Sequence, residues 1–172
     1  MNDGGSMKDD LAHALLEDAR KRLLNGYPDQ VRAALDTLAD DQIWWRANGA
    51  SNSVGNLVLH VCGSTRHFLG RGVGGSDYRR DRPREFAETG PLPRTQLRSV
   101  LEETVAEAGQ VLGNLDPARL LEVSDRAGDP QTILALVLRT AHHWAVHTGQ
   151  IVYATKALRE GAFDDLWART MR

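Results

Sequence analysis

Three histidines lie close together in the stretch RTAHHWAVHTGQIVYATKAL, which covers residues 139–158. His143 and His147 are four residues apart, so in a helix they project from the same face, about one turn from each other. That spacing lets two imidazole nitrogens bind one metal ion. His142 points about 100° away from this face. The alternative interpretation is that these histidines cap the helix or form hydrogen bonds inside the core.

A fourth histidine, His60, lies in the apolar run GNLVLHVCGS and is therefore predicted to face the interior. A buried imidazole needs partners for both nitrogens, and leaving one unsatisfied costs about 1–3 kcal/mol. A metal shared with a facing helix would satisfy it. Three imidazoles with one open position are typical of zinc, and imidazole also suits nickel, iron and copper. The sequence favours a divalent metal (zinc, nickel or iron) held by His60, His143 and His147.

Two further side chains are candidates to hydrogen-bond to the metal ligands and hold them in place. Gln150 follows His147 by three residues, about one helical turn. Its alternative role is a hydrogen bond that packs two helices together. His67 lies two turns beyond His60 on the same face, and its alternative is a bond to the last carbonyls of its own helix.

The remaining residues with reactive or aromatic side chains are expected to be structural. We expect His13 to be exposed and Cys62 to be a small core residue. Trp45 and Trp144 would suit the wall of a pocket, but packing in the core is the expectation for both.

The chain length of 172 residues suits one domain, since domains cluster at roughly 100–150 residues. We set residues 1–6 apart as a flexible leader and predict a single domain over residues 7–172. The net charge of -2 does not indicate the excess of basic residues that binding to nucleic acid or to an anionic membrane surface would need. The basic stretch YRRDRPR, residues 78–84, is predicted to be a solvated loop because acidic residues are interleaved with it.

Other features of the composition bear on the compartment. No window reaches the ~18 uncharged apolar residues of a membrane span, and the N-terminus lacks the apolar segment of a secretory signal. A single cysteine rules out an intramolecular disulfide and a multi-cysteine zinc motif. We therefore expect a soluble, cytoplasmic protein with no membrane or nucleic-acid partner.

Helical periodicity dominates the chain and predicts four principal helices. Their predicted bounds are 8–38 with a kink or break at Pro28, 54–69 after an N-cap at Ser53, 94–115, and 130–159 with Pro130 in the first turn. Residues 70–93 are predicted to form one long irregular loop, and no strand is expected. The apolar residues of the fourth helix wrap much of its circumference, as in a central helix or a homodimer interface. The pattern favours an all-α four-helix bundle, in which facing side chains build ligand sites.

The histidine segments resemble the DinB superfamily, which includes the bacillithiol S-transferase group. SVGNLVLHVCGSTRHFL and AHHWAVHTGQIVY are similar to the NSxGNLxxHxxGN and HxxxHxGQI helices of an uncharacterised subgroup, and RDRPREF resembles a motif in that subgroup's crossover loop. The resemblance runs from the YP of the first helix through Ala157. It implies an up-down-down-up four-helix bundle with a long crossover loop between helices two and three. It also implies a homodimer and a divalent metal held by His60, His143 and His147.

Three functions are compatible with such a site. The first is transfer of a low-molecular-weight thiol (bacillithiol, mycothiol or glutathione in related proteins) to an electrophilic small-molecule substrate, with the metal lowering the thiol pKa. The second is metal-dependent hydrolysis, for which Asp125 or Glu122 would have to approach as a base. The third is a metal-stabilised structural or ligand-binding homodimer without catalysis. Three protein ligands favour a reactive metal, because a structural site usually has four.

Overall fold

The computed structural model describes residues 3–90 and 92–164. Its α-helices are α1 Asp3–Lys21, α2 Tyr27–Thr37, α3 Asp40–Ile43, α4 Val54–Thr65, α5 Arg82–Ala87, α6 Arg94–Asn114 and α7 Ile133–Leu158. Two π-helical stretches, Arg22–Gly26 and Arg66–Val73, follow α1 and α4 directly, and a 3-10 turn covers Pro117–Leu121. Strands β1 Val123–Ser124 and β2 Gln131–Thr132 form a two-residue antiparallel pair before α7.

Four helical units pack around one core and confirm the predicted all-α, up-down-down-up bundle. They are α1 with α2, α4 with its π-helical extension, α6, and α7. The long crossover lies between the second and third units and contains α5. The core is built from buried aliphatic side chains on all four units, including Leu16, Leu35, Val58, Leu69, Leu101, Leu112, Val137 and Ile151.

The break expected at Pro28 takes the form of the π-helical stretch 22–26, which ends just before α2. Pro28 lies in the first turn of α2, where its missing N–H is tolerated. A wider turn before it relieves the clash between the proline ring and the carbonyl four residues earlier. The first helical unit therefore runs without a loop from α1 into α2. α1 begins at Asp3, and the division between a leader and a domain stays a prediction.

Two predictions about the connections are wrong. Residues 70–93 are not one irregular loop, because residues 70–73 continue the π-helical turn and α5 forms within the crossover. Pro130 is not in the first turn of α7, because the β1–β2 pair holds Gln131 and Thr132 in extended conformation. Thr132 is the N-cap instead, and its side chain accepts a hydrogen bond from Ala135 N–H.

A hydrogen bond between two buried side chains joins the helices that carry the histidines. Trp144 is 1% exposed, as expected for a core residue, and its Nε1 donates to Thr65 Oγ1 at 2.8 Å. The core expectation is wrong for Trp45, which is 45% exposed. Its neighbour Trp44 packs inward instead and donates from Nε1 to Leu92 O at 3.0 Å. The bond between Trp144 and Thr65 fixes α4 and α7 in one register.

The outer face of α7 leaves large apolar side chains in contact with water, among them Leu138, Val146 and Tyr153. The homodimer expected from the apolar circumference of this helix stays a prediction. Within residues 3–90 and 92–164, no helix combines the length and the apolar character needed to cross a bilayer.

Candidate metal centre

His60 on α4 and the pair His143 and His147 on α7 meet between the two helices. One nitrogen from each ring lies within 4.8 Å of the others. The ring centroids of His60 are 4.8 Å from those of both partners, and the two rings on α7 are 4.4 Å apart. His60 is 5% exposed and the other two are partly buried. The structure therefore brings together the three residues that the sequence selected.

The dimensions of the cluster suit one metal ion. Two nitrogens bound to the same zinc at about 2.1 Å can lie no more than roughly 4.2 Å apart. The 4.8 Å limit on the ligand atoms is slightly wider, so small side-chain rotations bring the three within range. His143 Nε2 is buried without a hydrogen-bond partner, which is costly unless another group satisfies it. A metal ion is such a group.

His60 is oriented by a buried ion pair from the crossover. Its Nδ1 lies 2.8 Å from Glu85 Oε2 and 3.1 Å from an Arg80 guanidinium nitrogen. Arg80 itself donates to both Glu85 oxygens, at 2.7 and 2.8 Å. Since a carboxylate only accepts hydrogen bonds, the short contact to Glu85 requires the proton on Nδ1. With the proton on Nδ1, Nε2 is the nitrogen of His60 that a metal would use.

Glu85 keeps its charge although it is only 8% exposed. Burial by itself would raise the pKa of its carboxyl group, but hydrogen bonds from His60 and Arg80, together with the Arg80 charge, lower the pKa overall. The side chain therefore accepts hydrogen bonds from both neighbours at neutral pH. A carboxylate behind a ligating histidine fixes the ring and makes it a stronger ligand.

Glu85 reaches His60 because Gly63 leaves room for it on α4. A Cβ added at Gly63 would overlap the Glu85 carboxylate. Asn56, one turn before His60, fastens the same part of the crossover by donating to the carbonyls of Glu85 and Glu88 at 3.0 and 2.7 Å. The glycine and asparagine of the GNLxxHxxG pattern thus place the carboxylate behind the histidine.

The start of α4 is fixed by the predicted cap. Ser53 is confirmed as the N-cap, since its Oγ accepts from Asn56 N–H at 3.1 Å. The Asn56 side-chain oxygen accepts in return from Ser53 and from Arg46, at 2.7 Å for each. The residues that begin the helix are therefore also the residues that hold the crossover against it.

On α7, Gln150 Oε1 lies 2.7 Å from His147 Nδ1. A carbonyl-type oxygen only accepts, so this contact also places the proton on Nδ1 and leaves Nε2 free. Burial, followed by the nearby His147, His60 and arginine charges, lowers the pKa of His143 to about 3. Burial is also the main cause of the lowered pKa of His147. Both rings are neutral at pH 7, as metal ligands must be.

The chain matches the family described as "Protein of unknown function (DUF1572)" over residues 10–169. It belongs to this family. The fold is similar to that of DinB-like proteins: the crystal structure of a DinB-like protein from Bacillus cereus ATCC 10987 aligns with a TM-score of 0.60, covering 77% of this chain and 85% of that one at 16% identity. A conserved protein from Enterococcus faecalis aligns with a TM-score of 0.61, covering 86% and 94% at 16% identity. No curated protein matches the chain.

The other residues singled out in this DUF1572 chain have separate roles. His13 is exposed, and the core role expected of Cys62 is confirmed because it is 1% exposed and burial raises the pKa of its thiol to about 12. His67 Nε2 lies 3.1 Å from Ala127 O, in the connection before α7. A role for Gln150 and His67 in supporting a bound metal stays a prediction.

Sequence reasoning missed Glu85 and Arg80 in this DUF1572 chain. The stretch 78–84 is solvated at Arg79 and Arg82, but the Arg80 side chain is only 11% exposed and pairs with Glu85. Both residues lie in RDRPREF, but Arg80 is in a loop and Glu85 is in the six-residue helix α5, and neither segment is long enough for a period to indicate which side chain turns inward. The two carboxylates considered as bases for hydrolysis do not belong to the histidine cluster. Glu122 forms an ion pair with Arg119 at 2.8 Å, and Glu122 and Asp125 both line a small cavity near β1.

Proposed function

We propose that this protein binds one divalent metal ion through Nε2 of His60, His143 and His147 and uses it to act on a small molecule. The observation that carries the proposal is the buried Nε2 of His143, which has no hydrogen-bond partner and lies beside the imidazoles of His60 and His147. Hydrogen bonds to Glu85 and Gln150 direct the free nitrogens of the other two rings towards the same point. Zinc, nickel and iron all suit three imidazole ligands.

A reactive metal is favoured over a structural one. Within the described residues, the group of possible ligands around this point contains three histidines and no fourth side chain. Glu85 is the nearest candidate for a fourth, but its oxygens are taken up by Arg80 and His60. A site with three protein ligands keeps one position for water or substrate. When bound, such an ion lowers the pKa of a coordinated thiol or water.

Transfer of a low-molecular-weight thiol is the reaction we propose for this site. A sulfur–carbon bond forms to the electrophilic substrate while the bond to its leaving group breaks, and the thiol proton leaves with that group or to solvent. The resemblance of the histidine helices to a superfamily that includes the bacillithiol S-transferase group supports this choice. Cys62 does not compete as the nucleophile, because it is buried and its thiol pKa is raised.

The alternatives have less support. Hydrolysis needs a base for the attacking water, and Glu85 is already held by Arg80 and His60 with its carboxyl pKa lowered. A purely structural ion would clamp α4 to α7, but those helices are already joined by Trp144 and Thr65.

Metal content tests the first part of the proposal. Purified, untagged protein is expected to contain close to one zinc, nickel or iron per chain, and the double variant H143A/H147A is expected to lose it while keeping its helical circular dichroism. The matched control is His142→Ala, which removes an exposed imidazole from the same helix and should retain the metal. Repeated metal loading that leaves the parent protein empty would contradict the proposal.

Thiol transfer is tested separately with metal-loaded protein. Bacillithiol, mycothiol and glutathione are each offered with an electrophile such as 1-chloro-2,4-dinitrobenzene, and thioether formation is followed by absorbance. Product formation above the metal-free rate with one thiol, lost in the double variant, is the expected result. Equal rates in loaded and metal-free protein for all three thiols would reject transfer while leaving metal binding intact.

A further inference from the structure

A cavity of about 700 Å³ opens beside the histidine cluster, between the α3–α4 connection and the outer face of α7. Two side chains join it to the cluster. Gln150 lines the cavity and bonds to His147, while Leu57 lines it one turn before His60 on α4. The volume lies within the roughly 300–1,000 Å³ of small-molecule sites. The cavity therefore neighbours the cluster through Gln150, on the Nδ1 side of His147.

The lining of this cavity is apolar and uncharged. Trp45, Val146 and Tyr153 line it and are 45%, 58% and 78% exposed. They are among the few large hydrophobic side chains that the described residues leave in water, and they lie together here. The polar groups come from Ser51, Asn52 and Gln150 and the Tyr153 hydroxyl. Asp, Glu, Lys and Arg do not occur among its lining residues, all of which the structure describes.

Gly149 leaves part of this space open. A Cβ placed on Gly149 would meet no atom within 4 Å, so alanine would fit there without a clash. Glycine inside a helix is destabilising relative to alanine. The packing of the described chain therefore gives no reason for glycine at this position. Gly149 lines the cavity, and a side chain there would project into it.

We propose that this cavity binds the uncharged, apolar part of the substrate, an aromatic ring or a short alkyl chain, while the reacting group lies at the histidine cluster. The proposal rests on the metal-dependent function proposed above. A charged group would lose its hydration here without gaining an ionic partner. The volume of about 700 Å³ and the link to His147 through Gln150 favour a small molecule over a second chain as the occupant.

The first test uses protein loaded with cobalt(II) and two thiols, 2-phenylethanethiol and 2-mercaptoethanol. Both have the same sulfur group, and the thiolate-to-cobalt absorption band reports their binding. We expect the phenyl compound to bind at least tenfold more tightly. Gly149→Leu should reduce this preference below threefold and leave 2-mercaptoethanol affinity within twofold. Gly113→Leu is the matched control, because Gly113 lies in α6 where a Cβ also meets no atom, and it should keep the preference.

The second test needs no metal. Metal-free protein is titrated with 2-naphthol, and binding is measured by isothermal titration calorimetry. Gly149→Leu should weaken binding at least fivefold, and Gly113→Leu should not. If cobalt is not retained but this pattern is seen, the metal proposal fails and the cavity proposal stands. The cavity proposal would be overturned by equal affinities for the two thiols, or by naphthol binding that Gly149→Leu leaves unchanged. A change of oligomeric state by light scattering in Gly149→Leu with unchanged probe affinities would assign this face to contacts between copies and also overturn it.

Discussion

His60 reaches the cluster from α4 with a carboxylate and a guanidinium behind it, whereas His147 on α7 has the neutral Gln150 amide. The α4 side is buried beneath the crossover, and the α7 side lies next to an open cavity. The two sides of the site thus differ in charge and in burial. They also differ in how far along the chain the supporting residue lies from its histidine: Glu85 is distant from His60, whereas Gln150 is one turn from His147. We propose that the α4 side holds a metal ligand in place and that the α7 side admits a substrate.

The largest expected effect follows from removing the charged support. Glu85→Ala leaves His60 without its acceptor and Arg80 without its partner, so zinc affinity should fall about 10–100-fold. Stability of the metal-free protein should fall by about 3 kcal/mol, the low end for a broken buried ion pair, because the 11% exposed Arg80 side chain can turn towards water. Zinc competition with a chromogenic chelator and urea unfolding measure the two quantities. Glu103→Ala, which breaks an exposed pair with Arg66, should change stability by less than about 1 kcal/mol.

A single methyl group at Gly63 should have nearly the same effect on metal binding. Gly63→Ala places a Cβ where the Glu85 carboxylate lies, so the carboxylate must move away from His60. We expect about a tenfold loss of zinc affinity by the same competition assay. Gly113→Ala adds the same methyl to an open helical site and should raise stability by about 0.5–1 kcal/mol with no change in zinc affinity. Unchanged zinc affinity in Gly63→Ala would contradict the supporting role of Glu85.

Removing the uncharged hydrogen bond between Gln150 and His147 should reduce zinc affinity less than removing Glu85 does. Gln150→Ala takes away one uncharged hydrogen bond on the more exposed α7 side, so zinc affinity should fall less than tenfold. The ratio between the Glu85 and Gln150 effects measures how unequal the two sides are. Equal losses in both variants would show that the charge on the α4 side adds nothing.

The smallest expected effect is in the pH dependence of stability without metal. The pKa of His143 is about 3 in the folded protein against an ordinary 6.5, so the unfolded chain takes up a proton first as the pH falls. This contribution is present above pH 6.5 and is lost as the pH falls from 6.5 towards 3. Between pH 6.5 and 5.5 the parent should lose about 1 kcal/mol or less from this histidine. His143→Asn should show a correspondingly shallower loss in urea unfolding, and identical slopes would contradict the lowered pKa.

The histidine triad was predictable because helices impose a period on the sequence. His143 and His147 are one turn apart, and His60 interrupts an apolar run, so both features can be recognised from the amino-acid sequence alone. Glu85 and Arg80 could not be placed, because the six-residue helix α5 and the loop before it are too short to show a period, and the direction of these side chains depends on contacts with distant residues. Gly63 gave no signal of its own, since its role exists only when Glu85 packs against it.

The bundle itself followed from the same periodicity, but the details of its helix ends did not. A π-helical stretch such as 66–73 continues an apolar pattern with a different hydrogen-bonding step, and no residue type marks where the change begins. Trp44 and Trp45 show a similar limit. They are neighbours in a connection without a period, so the sequence could not decide which of the two turns inward.

The placement of the histidines on two distant helices also has a consequence for the order of events in the cell. Translation runs from the N-terminus, so His60 and Glu85 leave the ribosome well before the α7 residues are synthesised. A nascent chain at that stage contains His60 but not yet His143 and His147, so it has only one of the three candidate ligands. The proposed three-histidine site is therefore complete only after α7 has been synthesised, and an ion bound by all three histidines cannot act as a template for folding of the earlier helices.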